Sequence, residues 1–295
     1  MTAGWIPAVF VLLWSTGFIG ARLGLPHAEP LTFLALRFAV VGVLLGSLCI
    51  AVRAPWPRSA REYGHLAVAG LLLQAGYLGG VFSAIHLGLS AGAAALIVGL
   101  QPVATALLAG PVLGERISRI QWLGFALGLA GVVLVLGPGA NASGASPASL
   151  AFAGVALVSI TAGTVYQKRF AAGMDLRAGS LVQFAAAAAL LVPLAFATET
   201  MQVAWTGEFV FALLWLSVVL SLGAITLLNV LIRRGAASSV ASLFYLTPGT
   251  TALIAWAVFG DTLATSGIAG LVLAAVGVAV VNSAGRAPAR DTLAR

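Results

Sequence analysis

A few polar side chains lie scattered through otherwise apolar sequence, and their types suit recognition of a small amphipathic solute. Trp14 and Thr16 stand near the start of the chain, and Gln74 and Tyr77 are three residues apart, so they share one helix face. Gln101, Thr164, Asn229 and Tyr245 complete the set of candidate substrate-cavity residues. The two tyrosines can stack on a solute or hydrogen-bond to it. The amides of Gln74, Gln101 and Asn229 can meet an ammonium or a carboxylate, or they can bond to neighbouring helix backbones instead. The hydroxyls of Thr16 and Thr164 carry less weight, because Ser and Thr commonly bond back to their own helix. Pro102 and Pro248 fall in the middle of apolar runs, where each removes a backbone N–H and frees the carbonyl one turn earlier. That makes each a hinge or a static kink.

Two further groups are candidates for coupling or gating. Arg37 is the one strong base inside an apolar run, near the outer end of the second span. The first expectation for it is that it snorkels to the surface or pairs with an acid such as Glu29, with direct substrate contact as the alternative. His86 ends the third span, where its protonation could tie transport to a proton gradient, although a lone histidine there is also an ordinary interfacial group. No Asp or Glu falls within a span, which argues against a buried-carboxylate proton relay. The sequence has no phosphate-binding glycine loop with a lysine and no metal-ligand spacing. Its histidines (His27, His65, His86) are dispersed, so no cofactor, metal or catalytic residue is expected and the chain does not read as an enzyme.

These residues need elements to hold them, and composition says which. The chain has 295 residues, 61% hydrophobic and 8% charged, with a mean hydropathy of +1.07. A soluble domain carries about 25% charged residues, so a soluble enzyme, a disordered chain and a nucleic-acid-binding domain are excluded. At roughly 20 residues per spanning helix, there is room for about ten. The single cysteine, Cys49, permits no intrachain disulfide. Charges punctuate the spans: 5–24 and 31–52 at the start, two spans between Glu62 and Glu115, and two between Arg119 and Lys168. Single spans follow at 178–198, 209–232, 235–260 and 262–285. Residues 5–24 are read as a helix rather than a signal peptide, because no positive charge precedes them. Ser118-Arg119-Ile120-Gln121 reads as a capping box, and the nearby Glu115 and Asp261 as structural loop residues.

Net charge is +7 and the pI about 10.8, yet nucleic acid is not needed to explain it. With the N-terminus inside, every one of the 15 basic residues except Arg22 and Arg37 falls in a cytoplasmic loop or tail, as the positive-inside rule requires. Both termini are thus expected in the cytoplasm. The chain also matches itself at an offset of 146: Gly17 with Gly163, Phe38 with Phe184, Pro102 with Pro248, Gly114-Glu115 with Gly260-Asp261. Five spans per half put the second copy into the bilayer upside down, an arrangement that supports alternating access. The expected organisation is a first repeat at 1–137, a connecting loop at 138–149, a second repeat at 150–285 and a tail at 286–295. Spaced glycines in the fifth and tenth spans (Gly124, Gly128, Gly131; Gly270, Gly277) suit internal packing or a homodimer contact, and a monomer suffices.

The run Leu13-Trp14-Ser15-Thr16-Gly17 through Arg22, the Leu36-Arg37-Phe38 of the second span, Gln101-Pro102, and Leu113-Gly114-Glu115-Arg116 together resemble the EamA branch of the drug/metabolite transporter superfamily. The resemblance extends over both halves. It implies an all-α membrane protein of ten helices, built as two inverted five-helix repeats around a central cavity. It also implies that the chain exports small metabolites across an inner membrane. The YddG-like exporters of aromatic and other amino acids are similar at Trp14, Pro102 and the Tyr245 to Pro248 stretch. Gly99, Gln101 and Ile160 stand where aromatic residues would suit a strictly aromatic substrate. Export of aromatic or other neutral amino acids is the leading expectation, with an efflux permease for another amphipathic or drug-like compound as the alternative. The partners are then the solute and the lipid bilayer.

Overall fold

The computed structural model describes residues 5–89, 94, 97–115, 117–136, 146–234, 237–259 and 265–284. Most of the connecting loop 138–149, Asp261 and the 286–295 tail lie outside the described residues. Helices account for nearly all of it: α1 (Trp5–Gly24), α2 (Pro30–Ala51), α3 (Ala60–His86), α4 (Gln101–Leu113) and α5 (Arg119–Leu136) in the first half. The second half holds α6 (Pro147–Ala171), α7 (Leu176–Thr198), α8 (Gly207–Arg234), α9 (237–259) and α10 (Thr265–Ala284). Among the described residues seven helices are long and apolar enough to cross a membrane, and the one strand-like feature is an isolated bridge between Ala28 and Val203.

Local sequence explains where the helices start. Ser118 and Gln121 form the capping box on α5: the Ser118 hydroxyl accepts from Gln121 N–H (3.2 Å) and the Gln121 amide oxygen accepts from Ser118 N–H (2.9 Å). Ser59, Ser146, Asp175 and Thr206 are simple N-caps of α3, α6, α7 and α8, each side chain accepting from first-turn N–H groups. Glu29 precedes α2 without capping it. Glu199, at the end of α7, does so instead, accepting from Leu31 N–H (2.8 Å), Thr32 N–H (2.7 Å) and the Thr32 hydroxyl (2.7 Å). Glu29 in turn accepts from Thr200 (hydroxyl 2.6 Å, N–H 2.7 Å), and those bonds hold its carboxyl below the usual carboxylate range. The α1–α2 and α7–α8 loops are thereby tied together at one end of the molecule.

The packing has a regular scheme. α1 lies against α8 and α9, α6 lies against α3 and α4, α2 pairs with α7, and α5 pairs with α10. Exchanging helices five apart in the chain converts the α1 pairings into the α6 pairings and returns α2–α7 and α5–α10 to themselves. The glycines of α5 and α10 are spent on this contact: a methyl added at Gly131 would sit 2.6 Å from the Gly270 carbonyl, and one at Gly277 2.6 Å from that of Gly124. Helix backbones at that separation leave no room for side chains.

Both prolines expected in mid-helix sit at breaks in regular helix. Pro102 lies in the first turn of α4, after a turn at Gly99 and Leu100, and Pro248 follows the 3-10 turn Leu243–Tyr245 within α9. Early turns have N–H groups without intrahelical partners, so proline there costs little. Among the described residues, Pro111 and Pro193 lie inside regular helix.

Candidate functional site

Between α1, α2, α3, α6 and α8 lies a small cavity of about 30 Å³. Its polar wall is Trp14 from α1, Arg37 from α2, Gln74 and Tyr77 from α3, and Asn229 from α8. Its apolar wall includes Phe18, Leu73, Val81, Phe82, Ile160 and Leu220. A still smaller space of about 10 Å³ adjoins it past Trp14, Phe18 and Tyr77, bounded by Val98, Gly99, Phe244, Thr247 and Pro248.

Irregular backbone shapes this wall. α3 widens into a π-helical stretch at Leu71–Gly76 and α8 into another at Trp215–Ala224, positions that the 146-residue offset superimposes. Wide turns of this kind recur at functional sites because they shift side chains out of the ordinary helical register. Gln74 and its repeat equivalent Leu220 sit in the two wide stretches, and both line the cavity. Trp14 and Tyr77 stack with ring centroids 6.0 Å apart and planes 12° from parallel, while Phe244 meets Trp14 edge-on at 5.2 Å. An aromatic floor held this way presents ring faces to a solute.

Arg37 corrects the sequence-based expectation. It neither snorkels nor pairs with Glu29: its side chain is 1% exposed, and Nε donates to Ser221 Oγ of α8 at 2.9 Å. The Ser221 hydroxyl itself donates to Leu216 O within the wide turn (2.9 Å). Packing of α2 against the middle of α8 leaves the guanidinium no route to the surface. Among the described residues, Nη1 and Nη2 have no hydrogen-bond partner, and the same holds for Gln74 Oε1 and Asn229 Oδ1. Asn229 Nδ2 reaches Ser180 Oγ of α7 at 3.5 Å.

The other candidates are placed differently. Thr16 donates to Leu13 O (2.6 Å) and accepts from Trp215 Nε1 (2.9 Å), which fastens α1 to α8. Thr164 bonds back to Ile160 O at 2.7 Å. Gln101 is buried against Thr105 (3.1 Å) and Tyr245 packs against Gly128 of α5; neither lines the cavity. His86 is exposed at the end of α3, beside an outer groove that it shares with Phe18, Arg22, Leu25 and Pro26. Sequence reasoning missed Ser221 and the apolar wall. Ser221 looks like any small residue of a spanning helix, and the one available pointer was the repeat offset that carries Gln74 onto Leu220.

A bundle of apolar helices around a buried, polar-and-aromatic cavity defines an integral membrane protein that handles a small solute. The EamA-like transporter family matches this chain twice, over residues 4–137 and 148–283, and the chain belongs to that family. It is 29% identical over 276 residues (93% of this chain, 88% of the relative) to YedA of Escherichia coli K12, described as an uncharacterized inner membrane transporter. The uncharacterized transporter YvbV of Bacillus subtilis 168 is 28% identical over 95% of this chain and 91% of its own. A protein of Salmonella typhimurium LT2 described as a probable amino-acid metabolite efflux pump is 26% identical over 93% of each. A crystal structure covering 97% of this chain and 98% of its own shares the fold at a TM-score of 0.76, with 24% identity.

Proposed function

We propose that the protein exports neutral amino acids, aromatic or other, and similar small metabolites from the cytoplasm, moving them by alternating access of two inverted five-helix halves. The observation that carries this reading is the buried cavity itself, whose aromatic floor and amides converge from α1, α3 and α8. The inverted arrangement is supported by the 146-residue offset, by helix pairings that interchange on a shift of five helices, and by matching wide turns in α3 and α8. Two halves able to exchange conformations give inward-open and outward-open states of similar energy. The breaks that precede Pro102 and Pro248 are the natural hinges, since backbone there is already outside regular helix. The likeness to the Salmonella protein supports amino acids as the cargo. The basic loops support cytoplasmic termini.

The test is counterflow in liposomes: purified protein, a trapped unlabelled amino acid, and the labelled amino acid outside. Saturable accumulation that drops at least tenfold in Gln74→Ala and Tyr77→Ala is the expected result. Accumulation of another amphipathic metabolite but of no amino acid would establish the permease alternative, which the mostly apolar cavity wall favours.

A further inference from the structure

Arg37 brings a positive charge into the middle of the bundle, and no acid among the described residues pairs with it. Nε is committed to Ser221; Nη1 and Nη2 lack a partner among the described residues, and the side chain forms part of the cavity wall. Among the described residues no acid lines that cavity. Glu29, the acid nearest in the chain, is engaged with Thr200, and Glu199 with the start of α2. A charge buried without a counter-ion is costly, so the site is built for an anion that arrives with the cargo. The two free nitrogens lie at the flat end of a fork whose geometry matches a carboxylate.

The same cavity holds two buried acceptors without partners, Gln74 Oε1 and Asn229 Oδ1. Two donor nitrogens and two acceptor oxygens are what an α-amino acid head group requires: carboxylate on one side, ammonium on the other. We propose that Arg37 clamps the substrate carboxylate while Gln74 and Asn229 receive its ammonium group, so that the cavity selects zwitterionic amino acids over their carboxyl-blocked analogues. This rests on the transport reading above and names the recognition chemistry of that site. An amide analogue lacks the anion and adds a second positive charge to a cavity that already holds one.

The experiment uses the full-length protein in liposomes and measures counterflow of labelled phenylalanine and leucine. The competitors are each amino acid, its primary amide, and the 2-oxo acid with the same side chain. Wild type should be inhibited by the amino acids, at least tenfold less by the amides, and by the 2-oxo acids to an intermediate degree, because those keep the carboxylate and lose the ammonium. Arg37→Gln should lower counterflow at least tenfold and abolish the acid-over-amide preference in what remains. Arg37→Lys, which keeps the charge without the fork, should fall between. The wild-type amide comparison needs no variant, so misfolding of Arg37→Gln, seen in gel filtration and thermal unfolding, leaves the test intact. Amides competing as well as the acids, or an unchanged preference in Arg37→Gln, would overturn the clamp while leaving amino-acid transport standing. Absence of counterflow for every amino acid tried in wild type would overturn both.

Discussion

Ser221 does two things with one hydroxyl: it accepts from Arg37 Nε and donates to Leu216 O, so the residue that orients the guanidinium also closes the wide turn of α8. Ser221→Ala should leave Nε buried with no acceptor, at a cost of about 1–3 kcal/mol. A lower thermal midpoint together with a raised KM for counterflow is the expected outcome, and wild-type values for both would show that the bond does not position Arg37. Trp14, Gln74, Tyr77 and Asn229 were legible from sequence because each is a polar or aromatic exception in an apolar run, and such exceptions need a cavity or a partner. Thr16 and Thr164 were not separable from them by type alone; their hydroxyls found acceptors within their own helices. Arg37 was misjudged for a definite reason. Its position near a helix end suggests snorkelling, and the partner that forbids it lies 184 residues away in α8.

At the level of elements, α5 and α10 illustrate how small residues set a helix separation. Gly124 and Gly131 of α5 and Gly277 of α10 face the backbone of the other helix. Gly277→Ala would press a methyl against the Gly124 carbonyl, an overpacking worth about 1–3 kcal/mol. Gly154→Ala, where an added methyl meets nothing within 4 Å, serves as the control. The first should lower the thermal midpoint in detergent and the second should not; equal effects would mean that the α5–α10 contact is looser than described. The capping box at Ser118 and Gln121 could be read from four residues, because its bonds are local. The cap on α2 could not, since Glu199 comes from α7 and no neighbouring residue announces it. Pro102 and Pro248 show the same limit: a proline marks a disturbance in a helix without saying on which side of it the helix begins.

For the molecule as a whole, the loops sort to two ends. The α1–α2 loop joins the α7–α8 loop through Glu29, Thr200 and the Ala28–Val203 bridge, while the α2–α3 and α6–α7 loops meet around Arg58, Arg61 and Asp175. If basic loops face the cytoplasm, a cysteine at exposed Gln202 should react with an impermeant thiol reagent applied to intact cells. One at exposed Arg58 should react only after permeabilisation. The buried Cys49 is replaced by alanine beforehand to clear the background. The opposite pattern would reverse the orientation.

Composition and charge spacing were enough for a helical membrane protein, self-comparison for its two repeats, and the polar exceptions for a shortlist of side chains. Those signals are periodic or local, and a bilayer penalises every departure from them. Which of the polar residues converge was decided by packing alone. α2 had to lie against α8 before Arg37 could be denied the surface, and α3 had to widen for Gln74 to share a cavity with Asn229. Contacts between residues far apart in the chain carry no local pattern, and the cavity is made of such contacts.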